Sequence, residues 1–183
     1  AGVTADTLPV VAFSVGEEEL SGLDTTNLAG HLAAWNYFMS ADTPENTAFI
    51  AAWKAFIKDD ARVTNDPMEA HYIGFNMWVK AVERAGSFEA KAVRRSIIGV
   101  KIPNLSGDDA EMLPSHTLRK PVFIGQIQPN GQFRIVWRTK QLVAGDVWSD
   151  HLPESRHLQS DWGGRLQCGR YDTRVERCLD GAR

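Results

Sequence analysis

The sequence lacks the marks of several common protein classes. It has no apolar run approaching the ~20 residues needed to span a bilayer, which excludes direct membrane insertion by a helix. It has no basic tract, and its net charge is −3, which excludes the electrostatic footprint of a nucleic-acid binder. There is no P-loop, no G-x-G-x-x-G and no G-x-S-x-G. His31, His71, His116, His151 and His157 show no H-x-x-x-H spacing, so neither a zinc site nor any other cofactor is expected. Internal repeats and low-complexity linkers are absent. The chain does not begin with Met and shows no signal peptide. It reads as a processed protein or an excised piece, and its compartment is not legible from its N-terminus.

What is present fits a globular α/β protein. The 183 residues suffice for one domain or two small ones, and 43% hydrophobic and 23% charged residues are ordinary. The organising stretch is Leu8 to Leu20, LPVVAFSVGEEEL. Val10–Val15 reads as a fully covered central strand, because an apolar run ends at a Gly that lets the chain turn. Glu17, Glu18 and Glu19 follow, and no Lys or Arg precedes Lys54. Ligands of open α/β sheets sit outside the carboxyl ends of the strands, so Ser14 and the first glutamates are site candidates. The same glutamates also suit the opening turn of a helix, where the dipole favours negative charge.

Leu23–Phe38 is ambiguous because Gly30 interrupts it, and Gly30–Met39 reads as a second extended segment. Thr43 and Pro44 then open a helix whose face carries Phe49, Ile50, Trp53, Phe56 and Ile57. A longer helix runs from Pro67 to about Ala85, with Asp66 as cap and Glu69 completing a capping box. Its expected apolar stripe is Met68, Tyr72, Phe75, Val79 and Val82, widened by Trp78. Tyr72, in the first turns, can face a ligand or sit in the core with its hydroxyl bonded. Gly86 ends this helix, and Ser87 caps a third, Phe88–Ile98. Val100–Lys120 reads as loop, and Pro121–Gln128 with Gln132–Trp137 as a hairpin about Asn130-Gly131. In the polar tail, Cys168 and Cys178 enclose GRYDTRVER. The pair suits a disulfide in an oxidising compartment, worth roughly 2.5–3 kcal/mol by loop entropy, or else two reduced thiols.

The motifs PVVAFSVGEEEL, GHLAAWNYF, DTPEN, TNDPMEAHYIGFNMWVKAVERAG and KPVFIGQIQPNGQFRIVW occur in that order. Together they resemble the C-terminal half of an ABC-transporter substrate-binding protein of the type I periplasmic binding protein group, in its urea and short-chain-amide branch. The segment LVAGDVWSDHLP and the paired tail cysteines resemble the urea-binding subgroup. The resemblance implies an incomplete type I periplasmic-binding-protein-like fold holding parts of two three-layer α/β lobes. Residues 1–38 would be second-lobe strand, acidic turn and crossover; 39–117 a first-lobe helical segment; 118–183 the second-lobe hairpin and C-terminal tail. It implies no enzyme but a periplasmic binding component, with urea or a short amide as small-molecule ligand and a membrane permease as partner. An amide-sensing regulatory protein of the same fold is the alternative. Ser14, Glu17, Glu18 and Tyr72 are the ligand-binding residues implied. Carboxylates would accept from the amide N–H groups, and Ser14 or Tyr72 would donate to its carbonyl.

Overall fold

The computed structural model describes residues 3–145 and three short strand segments beyond them, 158–159, 171–172 and 177–178. The first part forms one compact unit through Gly145. Its first sheet starts with β1 (Val11–Ala12) parallel to β2 (Leu32–Trp35), with the one-turn helix α1 (Glu17–Leu20) between them. Helix α2 (Pro44–Ile57), helix α3 (Asp66–Ala85) and helix α4 (Ala90–Ser96) follow. Strands β3 (Lys101–Pro103), β4 (Asp109–Met112) and β5 (Leu118–Lys120) precede β6 (Phe123–Ile127) and β7 (Phe133–Arg138), and β8 is Val143–Ala144. Two sheets result, ordered β1-β2-β6-β7 and β3-β4-β5-β8. The architecture is the mixed α/β arrangement that the motif order implies, in partial form.

The first sheet is held by the hairpin. Asn130-Gly131 makes its turn, with Gly131 at φ 76°, and the Gln128 N–H donates to Gln132 O at 2.8 Å. Alternate residues Phe123, Gly125 and Ile127 of β6 face inward, as strand periodicity requires. They join Leu20, Ala33, Phe38 and Phe133 in one core, where the Phe38 and Phe133 rings lie 4.6 Å apart. A side chain is disfavoured at Gly125, since a Cβ would stand 2.6 Å from the Phe38 ring, which would have to shift. The expected covered strand Val10–Val15 is corrected. β1 is two residues long and lies at the sheet edge, with Val10, Val11 and Phe13 all exposed. An apolar run does not say which of its faces finds a neighbour.

In the second half, α3 confirms the long helix and corrects its details. Its cap is Asn65, whose side chain accepts from the Met68 N–H at 3.1 Å, and Asp66 is the first helical residue. The buried face is Glu69, Ile73, Met77 and Ala81, rotated by one to two residues from the expected stripe so that the two share no position. Ile73 and Met77 pack with Val100, Ile102 and Ala110. Tyr72, Phe75 and Trp78 face outward, as do Phe56 of α2 and Phe88 before α4. Helix α4 is shorter than Phe88–Ile98, and Glu89 rather than Ser87 caps it. The stretch expected as loop, Val100–Lys120, carries β3, β4 and β5 in antiparallel register. These strands are too short for a period-2 pattern to stand out.

The chain passes between the two halves after β2, between β5 and β6, and between β7 and β8. These passages are laced together. Asn36 Nδ2 donates to Pro121 O at 2.6 Å, and Ser106 Oγ donates to Asn36 O at 2.6 Å. Val122 and Thr139 exchange bonds of 3.1 and 3.0 Å. The second unit, considered alone, contains β9 (Leu158–Gln159), β10 (Tyr171–Asp172) and β11 (Arg177–Cys178), antiparallel in the order β11-β10-β9. The Cys168–Cys178 pairing lies outside the described residues.

Candidate functional site

The acidic turn sits at the end of β1, where the two halves meet. Trp35 of β2 fixes its entry, its indole N–H donating to Val15 O at 2.8 Å. Ser14 is exposed at the strand end, and Gly16 is buried. A Cβ on Gly16 would lie 3.8 Å from Asn65 Cβ, so the turn abuts the start of α3. The three glutamates then separate by role. Glu17 points inward, with 1% of its surface exposed, and Oε1 accepts from the Met39 N–H at 2.6 Å. Its Oε2 is buried without a partner among the described residues. Burial pushes the Glu17 carboxyl up to about 7, the Met39 N–H opposes this, and the nearby charges of Asp66 and Glu19 add to it. Glu19 turns back so that Oε2 accepts from the Gly16 N–H at 2.7 Å, the reciprocal half of a capping box. Glu18 reaches the other half of the molecule, where Oε1 meets Arg62 Nη2 at 3.2 Å.

Behind the turn lies a buried polar cluster that ties the passages to α3. The Tyr37 hydroxyl donates to Asn46 Oδ1 at 2.7 Å and shares a 2.7 Å bond with Thr64 Oγ1. Asn46 Nδ2 donates to Met39 O and Ala41 O. Burial pushes the Tyr37 hydroxyl up, so it stays protonated. Asp66 Oδ1 accepts from the Asn36 N–H at 3.0 Å; burial raises its carboxyl and the Lys120 ammonium opposes that. Glu69 and Lys120 form a buried ion pair. Burial nevertheless holds the Glu69 carboxyl up at about 7, with Lys120 pulling it down.

Tyr72 lies apart from these groups. Its ring packs on Phe49 at 4.7 Å, in a groove of about 690 Å³ between α2, α3 and β3 that Trp53, Phe56 and Leu105 also line. An adjoining depression of about 510 Å³ runs past Met68 and His71 to Asn65, beside the acidic turn. Ser14, Glu17 and Glu18 lie on one turn but point apart, Ser14 to solvent, Glu17 into the protein and Glu18 to Arg62, and Tyr72 is linked to them by no hydrogen bond among the described residues. Sequence reasoning missed Arg62, Met39 and Lys120; Asn36 was legible as a candidate pocket residue beside Trp35 and Tyr37. Arg62 did carry a signal, as the lone cation in the loop Asp59–Asn65. Among the described residues, no group of His, Cys, Asp and Glu has the makings of a metal site, and no helix is long and apolar enough to cross a membrane.

Comparison with known proteins gives three findings. Residues 1–154 match the family described as periplasmic binding protein domain. Among curated proteins, the chain is 30% identical over 135 residues to a protein named limonene hydroxylase from Geobacillus stearothermophilus, across 73% of this chain and 24% of that protein. Among solved structures, it resembles a solute binding protein of an ABC transporter from Rhodopseudomonas palustris HaA2 in complex with p-hydroxybenzoic acid. That match has a TM-score of 0.64 and 20% identity, over 76% of this chain and 39% of the other. It also resembles an amino acid ABC transporter substrate-binding protein from Pseudomonas fluorescens Pf-5, with TM-score 0.60 and 19% identity over 79% and 39%. The chain therefore spans about a quarter of that curated relative and about two fifths of those solved structures. At these identities the structural likeness speaks to the fold.

Proposed function

The chain belongs to the periplasmic binding protein domain family, and from that premise we propose that it is part of the solute-binding component of an ABC importer. It works without catalysis, in the periplasm, and delivers urea or a short-chain amide to a membrane permease. Its ligand sits where the halves meet, with Glu18 accepting from the amide N–H groups and Ser14 donating to the carbonyl. The observation that carries this reading is Glu18 itself. It is the glutamate of the turn whose contact, at 3.2 Å, is with an exposed side chain of the opposite half. Glu17 and Glu19 are held by backbone N–H groups, so they position the turn rather than the ligand. Burial of a neutral polar ligand is favourable only when its hydrogen bonds are replaced, and a carboxylate at a strand end supplies acceptors without a competing donor.

Within this reading, residues 1–38 with β6 and β7 are second-lobe parts, while β5 and β8, which pair with the β3-β4 side, go with the first-lobe part rather than with the hairpin. That first-lobe part carries the outward aromatics Phe56, Phe75 and Trp78. Exposed aromatic clusters of this size are unusual on a finished surface.

A second reading has its own support. The groove at Tyr72 is lined by Phe49, Trp53 and Phe56, and one structural relative holds p-hydroxybenzoic acid. An aromatic acid could stack there. Calorimetry with urea, acetamide, benzoate and p-hydroxybenzoate separates the two. The amide reading expects urea or acetamide to bind and Glu18→Ala to weaken binding by about 1.5–3 kcal/mol, the scale of a hydrogen bond to a charged group. Binding of the benzoates alone, weakened by Tyr72→Ala and indifferent to Glu18→Ala, overturns it.

A further inference from the structure

Two of the three carboxylates of the acidic turn are committed to backbone N–H groups: Glu17, buried, to that of Met39, and Glu19, at the surface, to that of Gly16. Glu18 alone of the three contacts another side chain, the Arg62 guanidinium at 3.2 Å. Both partners are partly exposed, with side chains 39% and 55% accessible for Glu18 and Arg62. The pair uses one carboxylate oxygen and one guanidinium nitrogen. Glu18 Oε2 therefore remains an acceptor, and a guanidinium has five N–H donors of which this contact occupies one.

We propose that Arg62 is a specificity-determining residue: it holds Glu18 from across the halves, bars cationic ligands from the acidic turn, and admits neutral ligands that carry a donor beside an acceptor. This rests on the reading that Glu18 contacts the ligand. A primary amide or urea meets the requirement without breaking the ion pair. Its N–H donates to Glu18 Oε2, and its carbonyl accepts one of the unused Arg62 donors. An amine or amidinium can also donate to Glu18. It has no acceptor for Arg62, however, and its own charge stands a few ångströms from the guanidinium, where like charges repel. A simple carboxylate pairs with Arg62 but meets Glu18 with repulsion. The site thus selects by charge complementarity on both sides, through exclusion as much as attraction.

Acetamide and acetamidinium form a near-isosteric test pair that differs in charge and in one acceptor. Both are titrated into the full 183-residue chain, with the Trp35 indole N–H resonance as reporter beside the turn. Wild type is expected to bind acetamide and to bind acetamidinium at least about fivefold more weakly. Arg62→Gln should tighten acetamidinium about fivefold, the upper range of an exposed ion pair, while acetamide stays equal or weakens. Arg62→Lys, which keeps the charge, should preserve the exclusion, and Arg62→Gln combined with Glu18→Gln should abolish the gain. Unchanged acetamidinium binding in Arg62→Gln, whether weak or absent, overturns the inference, as does Arg62→Lys behaving like Arg62→Gln. Acetamide binding that survives Glu18→Gln undiminished refutes instead the reading of Glu18 as ligand contact, whatever Arg62 does.

Discussion

Lys120→Met tests the buried ion pair at the core of the junction. Glu69 is fully buried and Lys120 has 8% of its side chain accessible. Glu69 Oε1 has no partner among the described residues, so Lys120 supplies the charge compensation for Glu69. Taking one partner from a buried pair leaves an uncompensated charge, and such changes cost about 3–5 kcal/mol. The protein can escape part of this by protonating Glu69, whose carboxyl burial already raises to about 7. The loss should therefore depend on pH. A group with a raised folded-state pKa gives its full stability below its unfolded value near 4.5 and loses it as pH rises through the folded value. Without Lys120 the folded value climbs further, and the decline extends above pH 7. Equilibrium unfolding in guanidinium chloride from pH 4.5 to 8.5 is the assay. The expected result is a small deficit at pH 4.5 that grows to about 2 kcal/mol at pH 8.5, the limit that protonation of Glu69 sets when its wild-type value is already about 7. The double variant Glu69→Leu with Lys120→Met should recover most of it, since a packed apolar pair is often neutral or stabilising in place of a buried ion pair. A deficit below about 1 kcal/mol at pH 8.5 would refute the assignment of Glu69 as a buried, compensated carboxylate.

Glu17→Gln keeps an oxygen for the Met39 N–H and removes the charge, so it should stabilise by on the order of 2 kcal/mol at pH 8 and little at pH 4.5; identical pH profiles of unfolding for both proteins would contradict the burial of Glu17. Met77→Ala should cost about 2–5 kcal/mol and Phe75→Ser less than about 0.5, and comparable losses in thermal unfolding would put the buried face of α3 elsewhere. Gly125→Ala should cost about 1–3 kcal/mol through its collision with the Phe38 ring, and a neutral result would show that the ring can move aside. For the tail, a Cys168–Cys178 disulfide is expected in protein made under oxidising conditions; intact mass after alkylation without reductant, showing two modified thiols, would dismiss it.

The sequence by itself determined the elements whose cause is local. Thr43-Pro44 opens α2, Asn130-Gly131 makes the hairpin turn, and Gly86 closes α3 in the left-handed conformation. Each is a matter of backbone dihedrals and nearby hydrogen bonds. The order of motifs also carried the fold family, because the family match spans residues 1–154. The tertiary structure alone decided which faces are buried. Ile73, Met77 and Ala81 are buried rather than Tyr72, Phe75 and Val79, because burial depends on where a neighbour lies and not on hydrophobicity. It made β1 an edge strand, and it turned the stretch Val100–Lys120 into strands, since pairing partners are set by topology. It also divided three adjacent glutamates that the sequence presents as equals. Glu17 meets a backbone N–H of the passage between halves, Glu19 meets its own cap, and Glu18 meets Arg62, 44 positions further along the chain. A separation of that length is invisible to local pattern, and only the folded chain closes it.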